Sequence, residues 1–138
     1  MAEQTAKHLG YLVAEFGKRL GARFETQMAS LELTGPQAEL IVQLEQPLPM
    51  KDVASRLRCD ASNLTGLVDR LEKRGMVRRR VRADDRRVKE LVLTEAGKRL
   101  QRRVLTVIRR QSPITISEPE QIQLIELLEK AVSLLPPA

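Results

Sequence analysis

The sequence predicts a mainly α-helical protein of the α+β class, a winged helix-turn-helix with a two-stranded β-wing and long flanking helices. Two short amphipathic segments joined by a tight turn lie in the middle of the 138-residue chain, and two basic extended segments follow them. The aromatic residues are Tyr11, Phe16 and Phe24, so the core has to be built from aliphatic side chains. That composition favours packed helices over a β-sandwich.

The length fits a single domain. We place the winged helix at about residues 33–94 of one domain spanning 1–138, with helical flanks at 1–30 and 94–138. The sequence has no apolar run long enough to cross a bilayer, no signal-peptide pattern, and one cysteine, which allows no disulfide framework. These observations predict a cytoplasmic protein that does not associate with a membrane.

The first element is a long amphipathic helix from about Thr5 to Ala29. One face stays apolar over about four turns, through Leu9, Leu12, Val13, Phe16, Leu20 and Phe24. Such a stripe packs either within the domain or on a second surface. A second helix follows a capping box formed by Thr34 and Gln37, and Pro47 ends it.

The central helix-turn-helix consists of a helix from about Lys51 to Leu57, a turn over residues 58–60 and a second helix from Ala61 to about Arg74. Asp60 is a favourable N-cap for the second helix, and Gly75 ends it. The buried stripe of this helix comprises Leu64, Leu67, Val68 and Leu71. A helix that begins with short polar side chains is typical of the helix that enters a DNA major groove.

Two extended segments, Val77–Val81 and Val88–Leu93, follow the helix-turn-helix. The charged residues 82–87 between them are too polar for a core and rich in turn formers. A strand, a charged tip and a returning strand directly after a helix-turn-helix predict a β-wing.

Two further helices are predicted after the wing. Thr94 caps the first of them, and Pro113 is expected to end it. A capping box of Ser117 and Glu120 opens the last helix, which runs to Leu135.

The positive charge is concentrated in the central part of the chain. The net charge is +6, and residues 56–89 contain twelve basic and five acidic side chains, a difference of +7 that exceeds the whole surplus. A solvated basic surface is one interpretation of this cluster. Combined with a helix-turn-helix pattern, the cluster favours a polyanion-binding surface, and nucleic acid is the expected partner.

The sequence contains no catalytic arrangement that we could identify. His8 is the single histidine, which leaves little material for a histidine-based triad or metal site. The sequence also lacks a P-loop and a dinucleotide-binding fingerprint. We therefore expect no enzymatic activity, no cofactor and no metal ion.

Several short motifs resemble one known family. They are Leu33-Thr34-x-x-Gln37, Asp60-x-Ser62-Asn63-x-Thr65, Val68-Asp69-Arg70-Leu71-Glu72-x-x-Gly75-x-Val77-x-Arg79, Asp85-x-Arg87 and Leu91-x-Leu93-Thr94-x-x-Gly97. Together they resemble the multiple-antibiotic-resistance regulator (MarR) family of bacterial winged-helix transcription factors. The resemblance implies sequence-specific binding of double-stranded DNA at a pseudo-palindromic operator.

The resemblance assigns roles to individual DNA-binding residues. Ser62, Asn63 and Thr65 are expected at base edges, where asparagine can pair bidentately with adenine. Arg58, Arg70 and Arg78 are expected at phosphates. Arg87 would enter the minor groove and Asp85 would orient it; the alternative is that these two form only a surface ion pair.

The resemblance also implies a homodimer, held by the first and last helices, that acts as a repressor released by a small aromatic or phenolic ligand. His8, Tyr11 and Arg19 are candidates for the effector pocket, and a plain surface or interface role is the alternative for His8. Cys59 in the turn favours packing, although a redox-sensing regulator switched through this thiol stays open. A winged-helix protein-interaction module is a further alternative.

Overall fold

The computed structural model describes residues 1–110 and 115–136. These ranges contain helices α1 (Ala2–Ala29), α2 (Gly35–Gln43), α3 (Met50–Leu57), α4 (Ala61–Lys73), α5 (Glu95–Arg110) and α6 (Glu118–Leu134), and strands β1 (Leu48–Pro49), β2 (Val77–Val81) and β3 (Lys89–Leu93). The predicted mainly helical winged helix-turn-helix is confirmed.

The sheet is antiparallel, with strand order β1-β3-β2. Strands β2 and β3 form the predicted wing, in a register that runs from Val77 opposite Leu93 to Val81 opposite Lys89. Strand β1 adds a third member, with Leu48 opposite Leu91. Strand β1 was not predicted from the sequence, because it is two residues long and includes a proline, which is tolerated only at a sheet edge.

The core lies where α2, α4 and the sheet meet. Leu40 and Ile41 of α2, Leu71 of α4 and Leu91 of β3 are fully buried, and Met28 brings the end of α1 into the same cluster. The predicted stripe of α4 faces this core, with Leu64, Val68 and Leu71 buried and Leu67 partly buried. Burial of these aliphatic side chains is the main favourable contribution to folding, and it fixes α4 against the wing.

Local sequence signals set the helix limits. The capping box at the start of α2 is confirmed, because Thr34 accepts a hydrogen bond from the Gln37 N–H and the Gln37 side chain accepts one from the Thr34 N–H. Gly75 after α4 has φ +73°, a left-handed conformation that favours glycine. Helix α1 begins at Ala2, three residues before the predicted start. Pro113, expected to end α5, lies outside the described residues.

Helices α1 and α6 leave most of their apolar side chains exposed. Met28 is the buried residue of α1, and α6 has no buried residue. Exposed apolar side chains lie on both helices: Leu9, Tyr11, Leu12, Val13, Phe16 and Leu20 on α1, and Ile122, Ile125, Leu127, Leu128, Val132 and Leu134 on α6. In the described ranges, every helix is too short or too polar to span a membrane.

Candidate nucleic-acid interface

The turn between α3 and α4 positions the first residues of α4. Arg58 ends α3 in a left-handed conformation, with φ 51°. Asp60 then caps α4, as predicted: one carboxylate oxygen accepts the Asn63 N–H at 2.8 Å and the Ser62 hydroxyl at 2.8 Å. These hydrogen bonds, first that of the Asn63 backbone and then that of the Ser62 side chain, lower the pKa of Asp60. An ionised cap thus orders the first turn of α4.

The three predicted base-reading residues lie on this first turn and the next, and all are exposed. Ser62 donates its hydroxyl hydrogen to Asp60, and Thr65 donates its own to the Ala61 carbonyl at 2.8 Å, so both oxygens keep acceptor capacity. The Asn63 side-chain amide donates to Asp60 at 3.3 Å. Bidentate pairing of Asn63 with adenine would therefore require this amide to exchange Asp60 for the base.

The three predicted phosphate-binding arginines are also exposed, and none of them forms an ion pair with the residues the structure describes. Arg58 lies in the turn before α4, Arg70 on α4 itself and Arg78 on β2. A free, solvated guanidinium can approach a phosphate without first breaking an ion pair within the protein.

At the wing tip, the predicted Asp85–Arg87 pair is joined mainly through the backbone of Arg87. Asp85 accepts the backbone N–H of Arg87 at 3.0 Å, while the Arg87 Nε lies 3.9 Å from the same carboxylate oxygen. The Arg87 side chain is 95% exposed. Asp85 thus holds the backbone of Arg87 and leaves its guanidinium extended into solvent.

A second pair at the wing was missed by the sequence analysis. Arg82 donates from Nε and Nη2 to the two carboxylate oxygens of Asp84, at 2.7 and 2.9 Å. The hydrogen bonds raise the pKa of Arg82 and lower that of Asp84. The sequence offered one signal for this pair, because Arg82 and Asp84 are two residues apart in the turn. However, Asp85 and Arg87 have the same spacing, so the sequence does not say which acid pairs with which arginine.

A third arrangement joins the wing to α4 and was also missed. Arg79 of β2 contacts two acids of α4, Asp69 at 2.5 Å and Glu72 at 3.1 Å. The Arg79 backbone N–H also donates to Glu72, at 3.2 Å. Its neighbour Arg80 pairs instead with Glu90 across the sheet, at 2.7 Å. The three consecutive arginines 78–80 therefore have three different environments.

The exit of the wing is fixed by Thr94. Its hydroxyl oxygen accepts the Gly97 N–H at 3.0 Å, as predicted for a helix cap, and the hydroxyl group contacts the carbonyls of Gly75 and Met76. The Thr94 N–H also donates to the Met76 carbonyl, at 3.0 Å. One threonine thus ties the start of α5 to the start of β2.

The effector candidates on α1 do not form one site. His8 and Tyr11 border an open concavity along the start of α1. Arg19 lies eight residues beyond Tyr11, about 12 Å along the helix axis, and pairs with Glu15 at 2.6 Å. A more apolar cleft of about 480 Å³ lies farther along α1; its lining includes Leu20, Arg23 and Phe24 of α1 and Ile108 of α5.

Cys59 is half-buried and packs against the hydrophobic core. It also borders a cleft of about 310 Å³ together with Leu57, Asn63 and Leu67. Among the residues that the structure describes, no group of three or more His, Cys, Asp or Glu side chains could hold a metal ion.

Comparison with known proteins agrees with this geometry. A model of the MarR family matches residues 33–89. The HTH-type transcriptional regulator TtmR of Methylorubrum extorquens (strain PA1) is 41% identical over 83 residues, which cover 58% of this chain and 42% of TtmR. The chain spans about half the length of the curated relatives it matches.

Two solved structures share the fold. AbsC, a MarR family transcriptional regulator from Streptomyces coelicolor, superimposes with a TM-score of 0.79 at 24% identity, covering 94% of this chain and 93% of AbsC. A mutant of S. aureus MepR bound to an oligodeoxyribonucleotide gives a TM-score of 0.63 at 22% identity, covering 93% of this chain and 98% of that one. The matched segment, the relatives and the shared fold together support a MarR family regulator.

Proposed function

We propose that this protein binds double-stranded DNA sequence-specifically and thereby regulates transcription. One observation carries the proposal: the first turns of α4 and the tip of the wing each present exposed polar or basic side chains. Ser62 and Thr65 represent the first set, and Arg87 the second. In a winged helix, these two elements reach the major groove and a neighbouring groove of one duplex. TtmR is named a transcriptional regulator, and the MepR mutant holds an oligodeoxyribonucleotide.

The contacts divide into two classes. The side chains at the start of α4 offer hydroxyl and amide groups, which discriminate base edges. Arg58, Arg70 and Arg78 form no ion pair within residues 1–110 and 115–136, and they bind phosphate, which sets affinity and register. Arg87 inserts into the minor groove, where narrow A·T-rich segments concentrate negative potential.

The assembly that we propose is a homodimer. Helices α1 and α6 expose apolar stripes that one copy leaves uncovered, and such contiguous apolar surface marks an interaction site. A two-fold axis would place the two α4 helices about one DNA turn (~34 Å) apart, which a pseudo-palindromic operator requires.

Sedimentation of the full chain tests the dimer. Ile125→Glu and Leu128→Glu place charges on the exposed stripe of α6, and we expect each to shift the protein to monomer and to weaken DNA binding. Glu129→Gln on the same helix is the matched control and should remain dimeric. A dimer that withstands both glutamate substitutions would exclude α6 from the interface.

The regulation that we propose is repression relieved by a small aromatic carboxylate or phenol. The cleft between α1 and α5 supports this class of ligand, because its walls are mainly apolar, with Leu20, Phe24 and Ile108, and Arg23 supplies a cation. A bound ligand would change the relation between α1 and the winged helix and so the separation of the two α4 helices. His8, Tyr11 and Arg19 stay predictions for ligand contacts.

The proposed DNA binding is tested by selection from a pool of random duplexes. We expect the wild-type protein to enrich a pseudo-palindromic sequence and to bind it with a steep salt dependence, because several phosphates are neutralised. Selection that yields no common sequence, together with weak and equal binding to every duplex, would contradict sequence-specific recognition and favour a protein-interaction module.

A further inference from the structure

We infer that Arg79 is a positioning residue that fixes the wing relative to α4 and thereby sets sequence discrimination without touching DNA. This inference rests on the proposed DNA-binding function. It concerns a side chain on β2 whose exposure, 28%, is well below the 95% of Arg87 at the wing tip.

The geometry around Arg79 joins two elements through three hydrogen bonds. The guanidinium donates from Nη1 to Glu72 at 3.1 Å and from Nη2 to Asp69 at 2.5 Å. The backbone N–H of Arg79 donates to the second carboxylate oxygen of Glu72 at 3.2 Å. Glu72 therefore holds both the side chain and the main chain of β2. Arg79 lies opposite Leu91 in the antiparallel pair of β2 and β3, so a shift of the Arg79 backbone would also disturb β3.

Asp69 and Glu72 are negatively charged residues on α4, the helix that is proposed to contact DNA. Asp69 lies four residues after Thr65, so both side chains project from the same face of α4. An unpaired carboxylate on this face would repel phosphates. Pairing of Asp69 with Arg79 offsets that repulsion. Because the Arg79 guanidinium is already hydrogen-bonded to Asp69 and Glu72, it is poorly placed to bind a phosphate itself.

The bridge from Arg79 to α4 fixes the position of the wing tip relative to the start of α4. Specific binding requires the start of α4 and Arg87 at the wing tip to reach their grooves at the same time, whereas nonspecific binding needs only positive charge near phosphates. Loss of the bridge from Arg79 to α4 would release the angle between the wing and α4. Discrimination between sequences should fall, while the number of phosphate contacts stays the same.

The three consecutive arginines provide a matched series for the test. Arg78→Gln, Arg79→Gln and Arg80→Gln each remove one positive charge from the same strand. Arg78 is exposed and forms no ion pair with any residue that the structure describes, Arg79 is bound to α4, and Arg80 is bound to Glu90 within the sheet. Each variant is titrated against the duplex selected by the wild-type protein and against a scrambled duplex, at several salt concentrations.

We expect Arg78→Gln to weaken binding to both duplexes and to reduce the salt slope by about one unit. Arg79→Gln should weaken binding to the selected duplex about tenfold, the scale of one lost readout contact. Its salt slope should equal that of Arg80→Gln to well within one unit, and its affinity for the scrambled duplex should stay within about twofold of that of Arg80→Gln. A salt slope reduced as in Arg78→Gln would show that Arg79 is a phosphate contact and would overturn the inference.

Substitution of Glu72 or Asp69 breaks the same bridge but raises the net charge, whereas substitution of an arginine lowers it. Glu72→Gln and Asp69→Asn each raise the net charge by one, which by charge alone strengthens binding to any duplex. We expect weaker binding to the selected duplex in both variants, with unchanged or tighter binding to the scrambled one. Tighter binding to both duplexes would overturn the inference.

Thermal unfolding of each variant, monitored by circular dichroism, identifies any that fail to fold. Asp69→Asn removes the ion pair of Arg79 with α4 at Asp69 and leaves both hydrogen bonds to Glu72, so it carries the test if Arg79→Gln unfolds. The wild-type titration separates the inference from its premise. If the wild-type protein does not distinguish selected from scrambled duplexes, the proposed function fails. If it does, and Arg79→Gln keeps the full wild-type discrimination, only the inference about Arg79 fails.

Discussion

Replacing Gly97 with alanine should destabilise the junction between the wing and α5. A β-carbon at this buried position would overlap the carbonyl oxygen of Met76, and it would lie 3.0 Å from the Met76 carbonyl carbon and 3.2 Å from the Leu93 Cδ2. Carbon and oxygen atoms rarely approach within about 3.3 Å. The obstructing atoms of Met76 are backbone, so relief requires α5 and the start of β2 to move apart.

The cost of this movement is estimated from the groups that it separates. The Met76 carbonyl accepts the Thr94 N–H at 3.0 Å, while the Thr94 hydroxyl lies 3.2 Å from it and closer to the Gly75 carbonyl. Overpacking of a well-packed site costs about 1–3 kcal/mol, and each lost hydrogen bond adds about 1 kcal/mol. We therefore expect a loss of about 3 kcal/mol in the free energy of unfolding, which corresponds to a decrease of roughly 10 °C in Tm.

Urea and thermal denaturation at equal protein concentrations measure this loss. Gly66→Ala in the middle of α4 is the matched control, because its β-carbon would meet no atom within 4 Å. We expect that control to stabilise the protein by up to about 1 kcal/mol, the helix propensity of alanine over glycine. A Gly97→Ala protein within about 0.5 kcal/mol of the wild type would refute the close approach described for Met76.

The remaining predictions concern a thiol, a helix cap and a cleft. If Cys59 only packs the turn, Cys59→Ser should leave DNA affinity within a few fold, and peroxide should not release the wild-type protein from DNA; release that is absent in Cys59→Ser would establish the redox alternative. The pKa of Asp60 is lowered in the folded state by its hydrogen bonds. The ionised carboxylate therefore contributes fully to the free energy of unfolding above the unfolded pKa of about 3.9, and this contribution is lost as pH falls through the lower pKa of the folded state. Asp60→Ala should therefore lower stability at pH 7 and flatten the acid limb of the stability profile measured by urea denaturation. Phe24→Ala should weaken binding of an aromatic carboxylate such as salicylate in calorimetry while leaving DNA affinity unchanged, and unaltered salicylate binding would exclude this cleft.

Local signals account for the parts of the fold that were predicted from the sequence. The signals that set the helix ends depend on residues no more than four positions away, so they can be predicted from the adjacent sequence. Examples are the capping box at Thr34, the N-cap at Asp60 and the glycine with positive φ at position 75. Two extended segments and the charged residues between them likewise define the wing.

Features that depend on distant partners were not predicted. Strand β1 exists because Leu48 lies beside Leu91, more than forty residues away in the sequence. The partners of Arg79 are set by how the wing packs on α4. The motif that carries the family resemblance includes Asp69, Glu72 and Arg79, but the motif does not say that these side chains contact one another.

The central claim is that Arg70 of α4 sets affinity through a phosphate whereas Arg87 at the wing tip contributes to sequence readout. Titration of Arg70→Ala and Arg87→Ala tests this claim most directly. Both variants are measured against the selected and the scrambled duplex at several salt concentrations. Arg70→Ala should weaken both complexes about equally and reduce the salt slope by about one unit. Arg87→Ala should lose more on the selected duplex, by roughly 1–3 kcal/mol. An equal loss on both duplexes for Arg87→Ala would show that the wing is only an electrostatic anchor and would contradict minor-groove readout.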